Sequence, residues 1–110
     1  MSDKIEELVE KLLANTNDGK TKWEEAGLEK GFLTSLSKFS ILLGVTQNKI
    51  GDNIIELSIL NSEGKTIEEY RGQQLTLSSL WNAARRAAFG VEVAIDALIK
   101  KSLNNNLSFI

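Results

Sequence analysis

The sequence predicts an α+β domain: an N-terminal helix, an antiparallel β-meander of about four strands, and a long C-terminal helix packed on the sheet. Three observations carry this expectation. Apolar side chains recur at helical spacing near both ends of the chain. Between Lys20 and Arg71 the pattern breaks into short segments rich in β-branched and aromatic residues, separated by Gly, Asn, Asp and Ser. The links between those segments are short enough for hairpins. At 110 residues, a single domain over 1–110 is expected, large enough to bury roughly two thirds of its unfolded surface.

The first helix is read over residues 3–14. Ile5, Leu8, Val9, Leu12 and Leu13 share one face, Asp3 and Glu6 suit a capping box, and Glu7 and Lys11 stand four residues apart as a favourable ion pair. Asn15-Thr16-Asn17-Asp18-Gly19 supplies stop and turn chemistry. A strand around Gly31–Leu36 enters the next, KFSILLGVT, through a tight Ser37-Lys38 turn. In that second strand Phe39, Ile41, Leu43 and Val45 alternate with Ser40, Leu42 and Gly44. NIIELSILN repeats the alternation with Ile55, Leu57 and Ile59, and Asn61-Ser62-Glu63-Gly64-Lys65 reads as a hairpin loop into TIEEYR. TKWEEAG around Trp23 holds at most one more short strand. On the opposite face Leu33, Leu42, Ile54 and Leu60 are less polar than a solvated sheet face, so either a helix or a partner covers them.

Residues 76–103 read as one helix, straight or slightly bent at Gly90, with Thr76 as its cap. At 100° per residue, Leu77, Leu80, Trp81, Ala84, Ala88, Val91, Ile95, Leu98 and Ile99 form one core-facing stripe. The tail within SLNNNLSFI (102–110) reads as frayed over 103–110, with Leu107, Phe109 and Ile110 free to dock.

Composition narrows the functional classes. The chain has 42% hydrophobic and 25% charged residues, which is globular composition, and a net charge of -2, which gives no broad attraction to nucleic acid or an anionic membrane. With no cysteine and no histidine, disulfides, thiolate metal sites and imidazole bases are all missing. No enzymatic activity, metal or cofactor is therefore expected. MSDKIEELVEKLL has charges where a signal peptide needs a continuous apolar run, no stretch is apolar enough to span a membrane, and a cytoplasmic location is expected.

The stretch Ala14–Thr21, ANTNDGKT, matches the phosphate-binding pattern G-x-x-x-x-G-K-[ST] except for alanine at its first position. Such a loop needs a strand before it and a helix after it, so that backbone N–H groups cradle the phosphates. Here a helix precedes it, and a second Gly-Lys-Thr at 64–66 follows turn residues in the same way. Both are read as turn glycine, solvated lysine and strand-opening threonine. Glu24-Glu25 and Glu68-Glu69 are adjacent on strands and point to opposite faces, so neither pair converges on a metal or a substrate.

The segment LWNAARRAAFGVEVAIDALIKK, 80–101, carries the remaining candidates. Arg86 lies opposite the core stripe, Arg85 at its flank, and Phe89 and Val93 form a second apolar patch. Structurally, Arg85 packs on Trp81 or pairs with sheet carboxylates while Phe89 and Val93 touch the first helix. Functionally, Arg86, Phe89, Val93 and Lys100 form a docking face. A third reading has Arg85, Arg86, Lys100 and Lys101 contacting phosphates of a nucleic acid, which the acidic composition disfavours.

The residues TKWEE at 21–25, GFLTSLSKFSI at 31–41, ILNSEGK at 59–65 and LWNAARRAAFGVEVAIDAL at 80–98 resemble a family of small uncharacterised bacterial proteins of about this length. The resemblance spans most of the chain. It implies these domain boundaries and a bacterial origin, and it transfers no catalytic residue. The expected function is a non-enzymatic protein-interaction or regulatory module that self-associates through the outer sheet face, an edge strand or the Phe89 and Val93 patch.

Overall fold

The structure, a computed structural model, describes residues 3–27 and 31–104, with the side chains of Asp3, Leu103 and Asn104 outside that description. It is an α+β fold in the order helix, five antiparallel strands, two helices.

Helix α1 (Asp3–Asn17) buries Ile5, Val9 and Leu12, which recur at helical spacing along one face. The expected pair of Lys11 with Glu7 forms at 3.9 Å between two exposed side chains, and the Asp3 capping box lies outside the described side chains. The helix ends in a Schellman arrangement: Gly19 N–H donates to Thr16 O at 3.1 Å and Lys20 N–H to Asn15 O at 2.8 Å, with Gly19 at φ 75°. The glycine of the apparent phosphate loop is thus a helix stop. Its left-handed backbone consumes the carbonyls of the last turn, and a strand follows it in place of a helix.

The sheet runs β1 (Glu24–Glu25), β2 (Phe32–Leu36), β3 (Phe39–Gln47), β4 (Asn53–Leu60) and β5 (Thr66–Gly72), each antiparallel to its neighbour in chain order. The fifth strand beyond the expected meander is β1, two residues beside Trp23. Leu36 pairs with Phe39, so the turn between β2 and β3 is the two residues Ser37 and Lys38, as expected, with Ser37 at φ 59°. The other two hairpins share one construction. In each, an asparagine Oδ1 accepts the backbone N–H groups two and four residues on: Asn48 from Ile50 and Asp52, Asn61 from Glu63 and Lys65, all at 2.9–3.0 Å. Gly64-Lys65-Thr66 is therefore hairpin and strand start. A one-residue bulge leaves Ile67 between the pairs Ile59–Glu68 and Leu60–Thr66.

The pleat puts Phe32, Thr34, Ile41, Leu43, Ile55 and Leu57 on one face, and α1 and α2 (Leu75–Ala88) cover it through Ile5, Val9, Leu12, Leu77, Leu80 and Ala84. Trp23 closes this core from the α1–β1 loop. Its indole N–H donates to Thr16 Oγ1 at 2.9 Å, and that hydroxyl donates to Leu12 O at 2.6 Å, so both buried polar groups are satisfied. Thr34 Oγ1 ties the same loop to β2 by donating to Lys22 O at 2.6 Å.

The C-terminal region departs from the single helix expected. Gly90 adopts φ 63° and splits it into α2 and α3 (Val91–Asn104). Gly90 N–H donates to Ala87 O at 3.2 Å, while Gly90 O accepts Ala94 N–H at 2.9 Å, so one residue ends α2 and starts α3. At the other end of α2 the N-cap is Gln74, without a side-chain cap bond, and Thr76 lies inside the first turn. Residues 105–110, most of the tail read as frayed and including Leu107, Phe109 and Ile110, lie outside the described residues.

Candidate interaction surface

The sheet sets how much helix it can cover. Five strands at the usual spacing are roughly 19 Å across, and the 14 residues of α2 are about 21 Å long. Helix α2 starts beside the end of β5 and finishes over β2, where the ring of Phe89 meets Phe32. Among the described residues, none of α3 joins the core that α2 covers. Helix α3 therefore overhangs: from Glu92 to Ser102 every residue is exposed, whereas Leu77, Leu80 and Ala84 of α2 are fully buried.

This corrects the single core-facing stripe. Its first half packs as expected. Its second half continues through Ile95 (39% exposed), Leu98 (64%) and Ile99 (54%), which face solvent, with Val91 half-buried at the root. The radius of gyration agrees with an overhang: 16.7 Å, against about 13 Å for a compact chain of this length. Among the described residues no helix is long and apolar enough to cross a membrane.

The candidate residues scatter around the α2–α3 corner. Phe89 stands edge-on to Phe32, with ring centroids 5.5 Å apart at 88°, and Phe32 in turn meets Trp81 at 4.9 Å. Half of Phe89 remains exposed. It thus packs on β2, where contact with α1 was expected. Arg86, in the last turn of α2, pairs with Glu92, in the first turn of α3, so the two charges brace the corner across Gly90. Each also suits its helix end, a cation at a C-terminus and an anion at an N-terminus. Arg85 is half-buried, and among the described residues it makes neither the stacking on Trp81 nor the pairing with sheet carboxylates that was expected. Those carboxylates are instead served by Arg71, 3.3 Å from both Glu56 and Glu69.

Val93 does not join Phe89 in one patch. It sits 74% exposed on the wall of an open cleft of about 670 Å³ between the α1–β1 loop and the corner, with Thr21, Trp23, Arg86 and Gly90. The hydroxyl of Thr16, also on this wall, is already engaged on both sides, and Arg86 is paired. Among the described residues no buried side-chain polar atom lacks a partner, and no three acidic side chains gather as metal ligands. Lys100 lies about 15 Å along α3 from Gly90 and is exposed.

The outer sheet face is open as well. Both packed helices lie on the other face, leaving Leu33, Leu42 and Leu60 half-buried beside the Glu56–Arg71–Glu69 charges. Of the two coverings the sequence left open, an intramolecular helix is not found among the described residues.

Comparison with protein-family models, with curated proteins and with solved structures gives no match to this chain.

Proposed function

We propose that the protein is a non-enzymatic interaction module that associates with itself, and that α3 is its contact element. The observation carrying this reading is the exposed stripe of Ile95, Leu98 and Ile99 on a helix with no sheet beneath it. Burying each such side chain is worth about 1.5–3 kcal/mol, and the chain's own core offers them no place. A cytoplasmic setting goes with this proposal, on the absence of cysteine. Phosphate contact by Arg85, Arg86, Lys100 and Lys101 is not favoured, since Glu92 neutralises Arg86 and Asp96 lies among the remaining cations.

The test is sedimentation velocity over a wide range of protein concentration. The native chain should sediment faster as concentration rises, and Leu98→Asp should abolish that rise without changing the melting temperature of the dilute protein. A native chain that stays monomeric at every concentration would remove the reading.

A further inference from the structure

The charges on α3 choose its partner. Its first half carries Glu92 and Asp96, and its second half carries Lys100 and Lys101. Glu92 is already paired with Arg86 of its own chain, so the acidic character of the first half rests mainly on Asp96, and the backbone macrodipole has the opposite sense at each end. Two such helices laid parallel align like charges and like dipole ends. Laid antiparallel, the half bearing Asp96 runs along the half bearing Lys100 and Lys101, and the macrodipoles oppose.

A closed dimer permits antiparallel pairing when its axis is perpendicular to the helix. A two-fold axis perpendicular to a helix reverses its direction and brings residue i to residue j and j to i. Along the stripe, Val91, Ile95, Leu98 and Ser102 follow a 4-3-4 spacing, which is that of a coiled-coil seam, with Ile99 at its flank. A perpendicular axis midway between Ile95 and Leu98 sets each of them against the other and places Val91 opposite Ser102. The overhang suits this geometry, because residues 92–102 of α3 are exposed along their whole length.

On these grounds we infer that α3 pairs with α3 of a second copy, antiparallel about a two-fold axis. This rests on the self-association proposed above and specifies its geometry. A seam about 21 Å long falls short of the roughly 800 Å² per partner of a standard interface, so the dimer is weak and depends on concentration. The half-buried leucines of the outer sheet face, flanked by charges that are already paired, offer α3 no comparable complement.

The chain contains no cysteine, so introduced thiols report without background. We would prepare full-length Val91→Cys and Ser102→Cys proteins, confirm native circular dichroism, and oxidise each alone and then mixed at a concentration where the native chain dimerises. Disulfides form where Cα atoms come within about 4.4–6.8 Å. The mixture should give a cross-linked heterodimer severalfold above either homodimer, and Leu98→Asp in both backgrounds should remove it. Cross-linking of Ser102→Cys alone would mean a parallel pair and overturn the inference. Dimers in the centrifuge without any cross-link would also overturn it, while leaving self-association through another face. Absence of dimers altogether would sink both this inference and the reading on which it rests.

Discussion

Helices α2 and α3 have the same length, 14 residues each, follow one another across Phe89 and Gly90, and carry apolar residues in a common phase. One holds the core and the other touches almost nothing of it. The difference lies outside the two helical patterns: α2 has the sheet beneath it, and the chain turns at Gly90 before α3 begins. Amphipathicity tells which side of a helix wants to be buried. Whether that side is buried depends on the surface it meets, and beyond Gly90 the stripe meets none of the core.

The sharpest way to break this comparison is to shorten one leucine in each helix. Leu80→Ala removes a fully buried side chain and should cost about 2–5 kcal/mol of unfolding free energy. Leu98→Ala, in dilute protein, should change it by less than about 0.5 kcal/mol. Urea melts of the two variants at one low concentration decide the matter, and a loss at Leu98 comparable with that at Leu80 would mean that α3 packs on its own chain. Raising the concentration should open a difference between native and Leu98→Ala proteins if the stripe is an interface.

What the sequence made legible follows the same boundary. The α+β class, the faces of β3 and β4, the α1 stripe and the Ser37-Lys38 turn are local patterns with periods of two or about four residues, and each was read correctly. The helix stop at Gly19 was legible too, because a helix before that glycine predicts it. The split at Gly90 was not. A wheel drawn at 100° per residue carries its phase through a glycine without registering that the chain has run out of sheet. The docking candidates suffered from the same continuity: Phe89 and Val93 are four apart on an unbroken helix, yet the turn at Gly90 sends one to Phe32 and the other to the cleft beside Trp23. The common construction of the loops Asn48–Asp52 and Asn61–Lys65 was signalled by the asparagine and glycine they share.

A second way to sharpen the contrast is to change the boundary residue itself. A Cβ added at Gly90 would meet nothing within 4 Å, so Gly90→Ala is a test of backbone conformation alone. At φ 63° an alanine should cost about 1–2 kcal/mol, and Gly90→Asn should recover part of it, since asparagine tolerates the left-handed region better. If Gly90→Ala were instead neutral or stabilising, with more helix in the circular dichroism spectrum, the two helices would be fusing, and the corner would be a preference of the glycine with no support from its surroundings.

The smallest effect concerns the brace across the corner. Arg86 and Glu92 are 42% and 71% exposed in their side chains, a setting in which an ion pair contributes about 0.2–1 kcal/mol. Glu92→Gln alone cannot isolate that contribution, because Glu92 also sits in the first turn of α3, where an anion is favoured by the helix N-terminus. A cycle with Arg86→Gln and the double variant subtracts the helix-end contribution and leaves the coupling between the two side chains. The expected coupling is about 0.2–1 kcal/mol at low salt, falling towards zero as salt screens it. A clear coupling means that the direction of α3 is held by side chains on both sides of Gly90, so that the proposed dimer would form between pre-oriented helices. Zero coupling at low salt would leave the backbone of Gly90 alone to aim α3, and the entropy of fixing that angle would then be charged to the association, predicting a weaker dimer than the apolar stripe by itself would give.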